Sequence, residues 1–305
     1  MKNLLVLSGP TASGKTALAE QIAIAYQCPI ISADSRQFYK EIPIGTAQPS
    51  RTSLKKIEYY FVANLSLQDE MSAGQFERDA GNKIIELFRK HDLVIVCGGS
   101  GLYIKALLSG LDLLPEKNEA FRNSLIALFQ SQGIQSLMHR LPKEIYNTLN
   151  KSDQLNPQRL MRHIEIAELP QNIEHEDSPR RTNPWREYKQ NVNIIYTALS
   201  ASRETLYRDI DARVDQMMAA GFENEVRQIP LSIKHINALQ TVGYKELFDY
   251  ISGDTDLPTA VKLIKQHTRN YAKKQLSWLR REQNVTWFDS DVSDNLIEFL
   301  KQNLK

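Results

Sequence analysis

The sequence predicts an α/β protein: a parallel sheet with helices on both faces, carrying a helical insertion. Three observations predict it. Short apolar runs of the kind that form fully buried strands recur along the chain, separated by stretches with helical periodicity. The first run, Leu4-Leu5-Val6-Leu7, passes directly into Gly9-Pro10-Thr11-Ala12-Ser13-Gly14-Lys15-Thr16, and then into a stretch with Leu18, Ile22 and Tyr26 on one helical face. Strand, glycine-rich turn and helix in that order are the context of a phosphate loop, so the sheet is P-loop NTPase-like. The alternation then breaks between 115 and 189, where helical segments occur without a buried strand.

The elements follow in order. Pro29-Ile30-Ile31-Ser32 reads as a second buried strand and 73–90 as a helix. Leu93-Val94-Ile95-Val96-Cys97 reads as a third strand. The insertion contains helical segments over 120–132, 135–140 and 157–169, and a polar tail over 170–189 punctuated by Pro170, Pro179 and Pro184. A fourth strand over 192–199 returns the chain to the sheet, with helices over 202–219, ending at Gly221, and 222–228. A long helix over 257–281 and a fifth strand, Val285-Thr286-Trp287-Phe288, follow. The domain reading is therefore a core from 1–114 and 190–305, with 115–189 as a helical insertion domain.

Composition narrows the classes. At 305 residues, with 42% hydrophobic and 24% charged residues, the chain can bury a sizeable core. A net charge of +2 rules out a polycation, so any nucleic-acid surface depends on local clustering. Cys28 and Cys97 are far apart, which indicates neither a disulfide framework nor a zinc site, and they read as small buried hydrophobes. No stretch approaches membrane-span length and none reads as a signal peptide, so the expected location is cytoplasmic.

The loop supplies the first chemistry. Its backbone N–H groups and the helix N-terminus suit a phosphate, Lys15 adds an ammonium, and the Thr16 hydroxyl suits Mg²⁺. A nucleotide kinase or ATPase would normally place an Asp at the end of a second buried strand. Here the strand over 93–96 ends in Cys97-Gly98-Gly99-Ser100-Gly101, and Asp92 lies at its other end. The nearest carboxylate by topology is Asp34, just past the second strand, where ligands of open α/β sheets sit. Ser35, Arg36 and Gln37 follow it, and a Gln amide can read an adenine edge. The competing role for Asp34 is a helix N-cap. From Lys262 to Arg281 the chain carries seven Lys or Arg and no acidic residue, interleaved with His267, Tyr271 and Trp278. That pattern fits either a solvated face or contact with phosphates and unstacked bases.

Seven segments in order resemble the tRNA dimethylallyltransferase (tRNA isopentenyltransferase) family. They are Gly9–Thr16, Ala33–Tyr39, Gly45–Pro49, Gly98–Tyr103, Asn156–Glu165, Val242–Glu246 and Thr268–Gln275, and together they span nearly the whole chain. Ser100 stands where Thr is usual. Tyr59-Tyr60 stands near the family's His pair, His163 replaces a small residue, and the usual continuation after Glu165 is missing.

The resemblance implies transfer of a dimethylallyl group from dimethylallyl diphosphate to the exocyclic amine of the adenosine 3′ of the anticodon in tRNA. It implies Asp34, Lys15 and Thr16 as catalytic residues, residues 9–16 as the diphosphate cradle and Thr16 as the Mg²⁺ ligand. The tRNA contacts it implies are Asp34, Ser35, Arg36, Gln37, Ser100, Arg122, Gln158, Arg159, Leu160, Met161 and Arg162. Working on a stacked base requires flipping it out, which suits a deep, basic, aromatic-lined site. The protein is expected to act as a monomer. The alternatives are a P-loop kinase using ATP, with 115–189 as its lid, and a non-catalytic RNA-binding protein with a relic loop; intact Lys15, Thr16 and Asp34 argue against the second.

Overall fold

A computed structural model describes residues 1–111, 118–168, 183–290 and 293–305. Six strands form one parallel sheet: β1 (Lys2–Ser8), β2 (Ile30–Ser32), β3 (Tyr59–Tyr60), β4 (Leu93–Gly98), β5 (Val192–Ser200) and β6 (Thr286–Asp289). Their spatial order is β3-β2-β4-β1-β5-β6. β1 pairs on both edges, Leu4 lying opposite Val94 and Ile194. Successive side chains of β1 enter opposite cores. Leu4 and Val6 join the cluster containing Phe38, Phe76 and Trp185, whereas Leu5 and Leu7 join the one containing Leu18, Ile22 and Leu296. Both faces are covered, and that is why the strand reads as an unbroken apolar run.

The five strands read from sequence are all present, and the parallel sheet is as expected. β3 escaped the reading because it has only two residues, paired to Ile30 and Ile31. Short helices such as Arg51–Lys56, Gly101–Ser109 and Tyr244–Ile251 escaped it for the same reason, since two turns give little periodicity.

The chain divides into two compact units, Met1–Leu111 with Asn183–Lys305, and Asp112–Thr182. In the second unit, Leu125, Leu137, Leu141, Leu160, Met161 and Ile164 form a separate core beneath the helices Glu119–Gln132, Ile134–Arg140 and Pro157–Glu168. The sequence-drawn limits of 115 and 189 differ from these. Asn183–Lys189 belongs with the sheet unit, because Trp185 is fully buried there and its indole N–H donates to Leu107 O at 2.8 Å. Asn183 and Arg186 both bond Glu77, which is itself buried. The stretch after Glu168 to Thr182, which holds the altered family continuation, lies outside the described residues.

Three strand ends meet at the carboxyl edge of the sheet. The phosphate loop leaves β1, Asp34 leaves β2 and the Gly98-Gly99-Ser100-Gly101 turn leaves β4. Ala33 N donates to Cys97 O at 2.8 Å and Ser100 N to Ala33 O at 3.2 Å. A Cβ at Gly98 would lie 2.2 Å from Ala33 O, so only glycine permits this approach.

Candidate active site

One cavity is lined by Lys15 and Thr16 of the loop, by Asp34, and by Arg213 from the helix Arg203–Ala219. Tyr271 and Gln275 from the helix Leu257–Leu279 complete the same wall. The sheet and two helices thus bring together a loop, a carboxylate and a cation that lie up to two hundred residues apart.

The loop is poised for an anion. Ala12 holds a left-handed φ of 63° and Gly14 one of 77°. Among the described residues, no side chain caps the N-terminus of the helix Lys15–Tyr26, and the buried Ser13 hydroxyl has no hydrogen-bond partner. Lys15 is buried, its ammonium donating to Pro10 O at 3.1 Å. Burial pushes the Lys15 pKa below its ordinary value; the Cys97 thiol opposes this, Arg213 adds to it, and Asp34 also opposes it. Unspent donors and a desolvated cation make a site that gains from a phosphate.

The donor set also fits Mg²⁺ brought in with a diphosphate. Among the described residues no group of three His, Cys, Asp or Glu could hold a metal ion. Thr16 offers one hydroxyl, and Mg²⁺ at phosphate sites takes few protein ligands, the rest being phosphate oxygens and water.

Asp34 opens a turn, not a helix. Its carboxylate accepts from Arg36 N at 3.0 Å, and Gln37 N donates to its carbonyl at 3.1 Å. The N-cap reading fails because no helix follows, although the same side chain-to-backbone bond stabilises the turn. Ser100 props this turn, accepting from Ser35 N at 2.9 Å. Arg36 donates to Asn237 O at 2.7 Å.

Gln37 is a correction. It is buried, its amide oxygen accepts from Ser32 Oγ at 2.9 Å, and its nitrogen donates to Ala47 O at 3.0 Å. The amide thus ties down the 45–48 segment at the wall of the cavity, which Gln37 also lines. Leu160 and Met161 are corrected likewise. Their side chains are 0% and 1% exposed in the core of the second unit, so they support its helix and offer nothing to an RNA.

The other insertion residues are largely engaged with each other. Glu165 is fully buried and paired with both Arg122 and Arg162. Arg122 also donates to Gln158 Oε1 at 3.2 Å, and Arg159 pairs with Asp153. His163 is held below its ordinary pKa first by burial and then by Arg159.

Arg213 was missed by the sequence reading, whereas Tyr271 was singled out there among the cations of 262–281. Arg213 flanks the apolar stripe of Leu206, Ile210 and Val214; it was hidden as one more arginine in a charged helix. Burial lowers its pKa while Asp34 opposes that, and both residues line the cavity. Tyr271 is pushed up to about 12, by burial and then by Asp34. The Cys97 thiol, also near Lys15, is pushed up to about 12 by burial, and so is an inert wall residue.

Comparison with known proteins shows the family. The family model described as IPP transferase matches residues 37–282. The chain is 40% identical over 312 residues to a tRNA dimethylallyltransferase of Flavobacterium johnsoniae, covering 100% of this chain and 99% of that one. Similarity to that of Christiangramia forsetii is also 40%, over 309 residues, with 100% and 99% covered. Among solved structures, the tRNA isopentenylpyrophosphate transferase of Bacillus halodurans superposes with a TM-score of 0.70 at 29% identity, covering 100% of this chain and 97% of that one. A eukaryotic dimethylallyltransferase acting on tRNA superposes with a TM-score of 0.75 at 20% identity, covering 99% and 79%, which is a likeness of fold.

Proposed function

Because the chain belongs to the IPP transferase family, we propose that it moves a dimethylallyl group from dimethylallyl diphosphate to tRNA. It is a prenyltransferase of tRNA. The acceptor is N6 of the adenosine immediately 3′ of the anticodon, and pyrophosphate is released. The observation that carries this reading is the joint lining of one cavity by an anion-ready loop, a carboxylate and a second cation.

The step follows from the residues. The diphosphate occupies the loop, where the helix amides and Lys15 stabilise charge as the leaving group departs. The Thr16 hydroxyl would hold Mg²⁺, which when bound would supply further charge neutralisation. The adenosine amine attacks the allylic C1 as the C1–O bond breaks. The amine proton passes to Asp34, and the electron pair of the broken bond leaves with pyrophosphate. Arg213 lines the same cavity as Asp34 and Lys15, and there it steadies the departing anion. Tyr271, 43% exposed within the cavity, offers a ring face to the flipped base.

The second unit grips the anticodon stem-loop through Gln158 and Arg159 at the start of the helix Pro157–Glu168. Arg122 and Arg162 act there mainly by holding Glu165. The enzyme works as a monomer in the cytoplasm; among the described residues no helix is long and apolar enough to cross a membrane. The kinase alternative is the weaker one, because β4 ends in Cys97-Gly98-Gly99 without the carboxylate that phosphoryl transfer uses.

Incubation of the purified protein with radiolabelled dimethylallyl diphosphate and total tRNA tests the reading. Label is expected on the adenosine 3′ of the anticodon. Phosphoryl transfer from ATP, with no prenyl transfer, would replace it by the kinase reading.

A further inference from the structure

Gln275 closes one end of the phosphate loop. It is 8% exposed and reaches out of the helix Leu257–Leu279. Its amide oxygen accepts from Thr11 N at 2.8 Å and its amide nitrogen donates to Gly99 O at 2.9 Å. The two bonds make opposite demands, so the amide has one orientation; flipping it would set donor against donor and acceptor against acceptor. Gly99 is part of the arrangement, since a Cβ there would lie 2.3 Å from the Gln275 nitrogen.

The loop's donors therefore divide into two groups. At the helix end, the uncapped N-terminus, the Ser13 hydroxyl and Lys15 await an anion. At the strand end, the Thr11 amide is already spent on the Gln275 oxygen, and both residues line the cavity. A nucleoside triphosphate in such a loop calls on donors for a third phosphate as well as the first two. A loop whose Thr11 N–H is already bonded has one donor fewer to offer a phosphate oxygen.

We propose that Gln275 is a specificity-determining residue that restricts the loop to a diphosphate and excludes triphosphates. It does so by occupying the Thr11 N–H, with Gly99 making the room. This inference rests on the diphosphate reading above and explains how a loop shared with triphosphate enzymes serves a prenyl diphosphate. It also lets the tRNA-facing helix set the shape of the diphosphate site, because Tyr271 and Gln275 lie one turn apart on it.

Calorimetric titration of the full-length protein with inorganic pyrophosphate and with tripolyphosphate, in Mg²⁺, tests this directly. The wild type is expected to prefer pyrophosphate. Gln275→Ala frees the Thr11 amide and should shift the preference toward tripolyphosphate by about tenfold, the worth of one hydrogen bond to a charged group. Gly99→Ala displaces the Gln275 amide without altering it and should shift the preference the same way. Equal weakening of both ligands in the two variants would make Gln275 a mere brace and overturn the proposal. A wild type that binds tripolyphosphate as tightly as pyrophosphate would overturn it whatever the variants do. If the wild type binds neither, the diphosphate reading itself falls, and the inference with it.

Discussion

Replacing Asp34 by Asn separates proton acceptance from everything else that this side chain does. The amide oxygen can keep the bond that the carboxylate now accepts from Arg36 N at 3.0 Å, so the turn survives. Ser100 still accepts from Ser35 N, so the turn also stays attached to the end of β4. Two things are lost: a base, and a negative charge near Lys15 and Arg213. Losing a positioned base costs about 10²–10⁴ in rate, or about 3–5 kcal/mol on the barrier. Losing the charge leaves the two cations less compensated, so the diphosphate is held at least as tightly as before. The signature is thus a fall of about 10²–10⁴ in the chemical step, with KM for dimethylallyl diphosphate unchanged or lower. Single-turnover measurements with enzyme in excess over labelled dimethylallyl diphosphate read the chemical step, and filter binding reads tRNA affinity. A single-turnover rate within about threefold of wild type, or a loss of tRNA affinity that accounts for the defect, would refute the assignment of Asp34 as base.

Further expectations concern the cations. Lys15→Ala should raise KM for dimethylallyl diphosphate and slow the chemical step together, because its charge meets the phosphates in both ground and transition states; steady-state kinetics reads both. Arg213→Ala should lower kcat by about 10²-fold with a smaller change in KM, and Arg213→Lys should restore part of it, since charge survives where the planar fork does not. An unchanged kcat would remove Arg213 from the site. In the second unit the arginines should separate by assay. Arg159→Ala is expected to weaken tRNA binding and reduce its salt slope by about one phosphate contact. Arg162→Ala takes one of two partners from the buried Glu165 and should appear first as a loss of about 1–3 kcal/mol in denaturant unfolding. Parallel salt curves for Arg159→Ala and wild type would pass the gripping role to the basic helix Leu257–Leu279.

The sequence by itself determined the sheet and the loop. Both depend on local pattern: β1 is apolar on both faces because both are covered, and Gly9–Thr16 follows it without interruption. Asp34 was legible by topology, as the first carboxylate past β2 on the ligand-binding edge. Only the tertiary structure decided which polar side chains face the cavity. Gln37 looked like a base reader but spends its amide on Ser32 and Ala47, and Gln275 closed a recognisable segment whose hold on the loop only the fold shows. Leu160 and Met161 sit inside a conspicuous motif because they build the core beneath its exposed residues. Arg213 and Trp185 are single residues within polar surroundings, and their importance comes from what lies far along the chain: the cavity shared with Asp34 for one, a bond to Leu107 O for the other. Periodicity records which face of an element is buried. It does not record which distant atom a buried polar group meets, because hydrogen bonds of that kind depend on sub-ångström placement that the packed fold alone provides.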